Sequence, residues 1–104
     1  MGICLVYVTN ESKEKARSLV DQIVNEKLAA CANVFPIESA YWWQGSIVRD
    51  HEVVSIFKTL PEHWEPLRDR ISEIHPYEVP CIMKIEVEAN ESYRQWIVDS
   101  VLPI

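Results

Sequence analysis

The segment His75-Pro76-Tyr77-Glu78-Val79-Pro80 brings an imidazole, a phenol and a carboxylate into one short stretch. Proline fixes its own φ and pushes the residue before it toward extended geometry. His75 and Val79 are therefore expected to be extended, and no helix can run through them. A stiff turn on a folded scaffold, carrying three polar groups, is the usual setting of a binding site. Cys81 follows at once, so a thiol and an imidazole flank the turn. Cys and His suit soft or borderline ions such as Cu(I), Cu(II) and Zn(II), and Glu78 is available as a third donor. The plainer reading is a sharp helix-to-strand connection whose His and Tyr make ordinary hydrogen bonds.

The elements that must hold this turn are legible in the periodicity. Ile3 to Thr9 is an apolar run rich in β-formers and reads as a strand buried on both faces. Asn10 and Ser12 offer N-cap oxygens. Ala16, Leu19, Val20, Ile23, Val24 and Leu28 then recur at helical spacing. Ala29 to Ile37 reads as a second strand bent at Pro36, resuming through Ala40 to Trp43. Gln44-Gly45-Ser46 is a turn with Gly45 free to take positive φ. A third strand, His51 to Thr59, completes a long hairpin.

Pro61 to Ile74 carries Trp64, Leu67, Ile71 and Ile74 on one helical face. Pro66 requires the regular helix to begin near His63 or to have a distorted first turn. Cys81 to Glu88 is a fourth strand. In it Met83, Ile85 and Val87 alternate with Lys84, Glu86 and Glu88, which predicts one wet face. Asn90 opens a last helix presenting Tyr93, Trp96, Ile97 and Val101.

The order is βαββαβ plus a C-terminal helix. This predicts an α+β class, a ferredoxin-like sandwich with an extended hairpin between its second and third strands. The first and third strands should be central, with two helices on one face. Both are apolar on both sides, and Trp42 and Trp43 point to opposite faces of the hairpin. Something must cover the second face, which argues for self-association.

Composition narrows the function. At 104 residues the chain is expected to form a single domain, residues 1–104. Its formal net charge is −6 and no Lys/Arg block occurs, so no nucleic-acid partner is expected. With Gly2 and Gly45 alone, neither a dinucleotide loop nor a Walker A loop can be built. Cys4, Cys31 and Cys81 form no C-x-x-C pair, and Cys4 and Cys31 read as buried small hydrophobes. No leader pattern and no run of about 18 apolar residues is seen, so no membrane association and a cytoplasmic location are expected. Cys31 with His75 carries no nucleophile signature, and no enzymatic activity is expected.

Several blocks carry a likeness. They are Leu28-Ala29-Ala30-Cys31-Ala32-Asn33, Tyr41-Trp42-Trp43-Gln44-Gly45, Glu52 with Lys58-Thr59, the His75 to Pro80 turn, and Tyr93 with Trp96. Together they resemble the CutA family of small divalent-cation-tolerance proteins. The resemblance implies a subunit similar to the nitrogen-regulatory PII proteins, and a tight homotrimer joined through the hairpins. It implies a role in tolerance of copper and other divalent metals, with no obligatory cofactor and no catalysed reaction. Metal ligands proposed for the family fall here on Val8, Ile74 and Cys81. The first two cannot ligate, and the third replaces an acid with a thiol. That leaves His75 and Cys81 as the metal candidates.

The PII likeness implies an alternative, a small-molecule sensor or a protein-anchoring adaptor without a physiological metal. Its cleft between subunits would be lined by Trp43, Glu52, Lys58, His75, Tyr77 and Glu78, with Lys58 holding an anion or a carboxylate.

Overall fold

The computed structural model describes residues 2–103. In order, β1 is Ile3–Asn10, α1 Lys13–Asn25, β2 Cys31–Trp43, β3 Ser46–Thr59, α2 Trp64–Ile74, β4 Ile82–Val87 and α3 Glu91–Ser100. A single 3-10 turn, Pro61–His63, leads into α2. Pro66 thus falls in the first turn of α2, where its missing N–H costs nothing.

The four strands form one antiparallel sheet in the order β2-β3-β1-β4, so β3 and β1 are central as expected. Cys4, Val6 and Val8 of β1 and Phe57 of β3 face α1 and α2. There they pack with Leu19, Ile23, Leu67 and Ile71 into the main core. The ferredoxin-like architecture follows from this layering.

The second face carries a helix at one end. There α3 seats Ile97 and Val101 on Ile3 and Leu60, a smaller core. Beyond α3 the same face leaves Phe35, Met83 and Ile85 between 38% and 50% exposed.

Three details differ from the sequence reading. β2 runs unbroken through Pro36 because it is an edge strand, whose outward N–H needs no partner. α1 stops at Asn25 rather than reaching Leu28. Lys27 takes a left-handed conformation at φ 60, and Lys27 N–H and Leu28 N–H bond back to the Val24 and Ile23 carbonyls. This is a Schellman stop made with lysine in place of the usual glycine, and it was invisible to hydrophobic periodicity.

The third concerns β4. Lys84 and Glu86 pair with Val6 and Cys4, so the polar set lies on the helix-bearing face, at the sheet's edge. Lys84 reaches over the Trp64 ring of α2, with Nζ 5.8 Å from the centroid. The apolar set, Met83 and Ile85, lies on the opposite face and is half exposed. Both faces of this edge strand therefore meet solvent in the subunit.

The β2-β3 hairpin extends well beyond this core and stretches the subunit to 45 Å, against 23 and 21 Å across. Its tip turns through Gln44 at φ 49 and Gly45 at φ 83, the two positive φ values that a two-residue hairpin turn needs. Trp42, 72% exposed, and Ile47 lie on one side of the tip, with Trp43 on the other.

Candidate functional site

The turn after α2 is built as its prolines predict. His75 ends the helix in extended geometry, φ −77 and ψ 131, while its N–H still caps the Ile71 carbonyl. The ring of His75 is buried and both nitrogens are occupied. The Tyr77 N–H points at Nδ1, 3.2 Å away, and Nε2 lies 2.8 Å from the Thr9 carbonyl. An amide N–H can only donate and a carbonyl can only accept. The imidazole is therefore neutral, with its proton on Nε2.

Tyr77 packs against this ring edge to face, centroids 4.7 Å apart. Its hydroxyl donates to Glu52 Oε2 at 2.9 Å. Burial, followed by the bond to Glu52, pushes the phenol well above its usual range. The turn thus staples the end of β1 to the middle of β3. Cys81 lies just beyond it, its thiol pushed up first by burial and then by the negative charge of Glu52.

These contacts decide what the turn can ligate. A metal at His75 would have to displace one of two hydrogen bonds, and a metal at Glu52 would compete with Tyr77. Val8 is fully buried and Ile74 packs against the main core, so both act as hydrocarbon. Glu78 is exposed. Among the described residues no three His, Cys, Asp or Glu side chains converge on a common point. One subunit therefore builds no chelating set, and Cys81 is the soft donor the turn leaves uncommitted.

The six cleft candidates fall into separate places. His75, Tyr77 and Glu52 form one bonded group. Lys58 is six residues beyond Glu52 on the same face of β3, about 20 Å along the strand. Trp43 pairs with Ser46 at the hairpin tip, about 20 Å in the other direction.

At the Lys58 end the structure assembles a group that the sequence did not announce. Cys31 lies directly opposite Lys58 in the β2-β3 pairing. Its Sγ is 3.5 Å from the Tyr93 hydroxyl of α3, and the two share a hydrogen bond. Cys31 is half-buried and polar in its contacts, not the inert hydrophobe expected. Lys58 Nζ sits 5.5 Å from the centroid of the Tyr93 ring, and Trp96 stacks on that ring at 5.6 Å. The bond to Cys31, followed by burial, pushes the Tyr93 phenol up, with Lys58 opposing. The available signal was the pair Tyr93 and Trp96, one helical turn apart, with a hydroxyl that needs a partner once partly buried.

Residues 4–100 match a protein-family model described as CutA1 divalent ion tolerance protein. The chain belongs to the CutA1 family. A divalent-cation tolerance protein CutA of Pyrococcus horikoshii is 43% identical over 96 residues, covering 91% of this chain and 94% of its own. The corresponding protein of Thermotoga maritima is 41% identical over 99 residues, covering 94% of this chain and 98% of its own. The crystal structure of CutA1 from Pyrococcus horikoshii superimposes with a TM-score of 0.93 at 40% identity, covering 96% and 99% of the two chains. A structure from Archaeoglobus fulgidus, described as a periplasmic divalent cation tolerance protein, gives 0.92 at 36% identity, again covering 96% and 99%.

Proposed function

We propose that this member of the family serves tolerance of divalent metal ions, copper foremost, as a cytoplasmic homotrimer that catalyses no reaction. Membership of a divalent-cation-tolerance family over almost the whole chain carries the reading. The apolar strip of Phe35, Met83 and Ile85, left half exposed beyond α3, supports assembly, because soluble monomers rarely leave such a strip open. The free soft donor Cys81 supports copper over magnesium. One thiol with occupied neighbours makes a weak site, completed by solvent or by another subunit.

Cu(I) titration under anaerobic reducing conditions, alongside Cu(II), tests this on the wild type and Cys81→Ser. Cu(II) alone can oxidise the thiol and imitate binding. Affinity should fall in the variant. In the wild type it should rise with pH across a range above that of an ordinary thiol, because Cys81 must lose its proton to ligate. Equal affinity in the two proteins would show that Cys81 is a plain structural residue and would favour the sensor or adaptor reading.

A second reading, a small-molecule sensor, is favoured by Lys58. This half-buried cation makes no ion pair among the described residues.

A further inference from the structure

Lys58 occupies an apolar row. Across the sheet the residues in register are Cys31, Lys58, Leu5 and Ile85, and along β3 its same-face neighbours are Ile56 and Leu60. None is acidic. A cation partly removed from water in such surroundings needs compensation, and among the described residues Tyr93 supplies it, with no carboxylate paired to the ammonium.

The remaining groups are donors. The Tyr93 hydroxyl can accept from the Cys31 thiol and pass its own proton outward as a donor, a chain that strengthens each link. The ammonium of Lys58 adds up to three more donors beside it. Trp96, 45% exposed and stacked on Tyr93, supplies a flat apolar wall next to these donors. A cation, a phenol and an indole face on one side of α3 match the two halves of one ligand class.

We propose that Lys58 and Tyr93 form a subsite for a small organic carboxylate, the carboxylate taken by the ammonium and the phenol and the hydrocarbon part laid on Trp96. The subsite rests on the small-molecule reading above and is independent of Cys81. Cys31 acts as a positioning residue. It holds the Tyr93 hydroxyl in place and undergoes no reaction.

Benzoate is the probe, and benzamide is its uncharged counterpart of nearly equal shape. Both are titrated calorimetrically at fixed ionic strength against the assembled wild type, Lys58→Met and Tyr93→Phe. Assembly mass is measured in parallel by light scattering. Benzoate should bind the wild type at least about tenfold more tightly than benzamide, as expected for charge-assisted hydrogen bonds. Lys58→Met should erase that preference. Tyr93→Phe, which keeps the ring and its stacking, should weaken benzoate several-fold without changing the mass. If Lys58→Met does not fold, the wild-type preference and Tyr93→Phe decide the matter.

Equal binding of benzoate and benzamide, or unchanged benzoate binding in Lys58→Met, would overturn the carboxylate subsite while leaving a small-molecule site of another chemistry. Binding of neither probe to the wild type also overturns it. If Lys58→Met then lowers the assembly mass, an acidic side chain of a second copy fills the position, and the small-molecule reading falls as well.

Discussion

Replacing Met83 by glutamate tests whether the open face of the sheet is the assembly surface. Met83 is 49% exposed, Ile85 50% and Phe35 38%, so roughly half of each side chain remains to be covered. Full burial of a large apolar side chain contributes about 1.5–3 kcal/mol, so closing the remaining half contributes about 1 kcal/mol per residue. Three such residues in three subunits give on the order of 9 kcal/mol, a substantial share of what association must overcome. A carboxylate at position 83 forfeits its own share and adds several kcal/mol of desolvation per buried charge. Over three copies the loss is on the order of 10 kcal/mol or more, enough to dissociate the assembly at low micromolar concentration. The subunit should survive, because Met83 sits on an edge strand and is already half in water. Light scattering should give one subunit mass for Met83→Glu and three for the wild type, with unchanged circular dichroism. Met83→Gln, of similar length but neutral, should weaken assembly only mildly. A Met83→Glu protein with the wild-type mass would show that this face is not the interface. A monomeric wild type would remove the assembly proposal altogether.

Two further substitutions probe the subunit itself. Lys27→Gly removes the steric cost of a left-handed lysine, about 1–2 kcal/mol, against the backbone freedom glycine loses on folding. A net gain of about 0.5–1 kcal/mol is expected in chemical denaturation, and a loss would mean that the lysine stem contributes more than its strain costs. Glu26 is held below the usual carboxylate range by the paired hydrogen bonds from Arg70 Nε and Nη2, both 2.9 Å. The native state then binds fewer protons than the unfolded chain in the acid range. The resulting stabilisation is complete above the unfolded carboxylate value of about 4.3, and is lost as pH falls through the lower native value. Thermal melts of the wild type and Glu26→Gln should therefore differ above that range and converge below it. A gap that stays constant with pH would show that the ion pair does not carry the linkage.

What could be read from the chain was what depends on neighbours along it. Pro76 dictated an extended His75, and the structure has it. Alternation made the third strand apolar on both sides, and the pairing puts Val53 and Phe57 on one face and Val54 and Ile56 on the other. What could not be read depends on register and docking. Lys58 meets Cys31 only because β2 and β3 pair with that offset, and both meet Tyr93 only because α3 folds back over the second face. No spacing in the sequence links positions 31, 58 and 93. The turn shows the converse. Its residues looked like a ligand set because imidazole, phenol and carboxylate were close in sequence, yet in the fold the imidazole and the phenol bind the chain itself and the Glu78 carboxylate stays exposed. His75 fixes Thr9, and Tyr77 fixes Glu52. Groups whose hydrogen-bonding capacity the fold has consumed hold the scaffold together. Groups it leaves unsatisfied are where a ligand or a second subunit can add binding energy, and the Cys81 thiol and the Lys58 ammonium are two such groups.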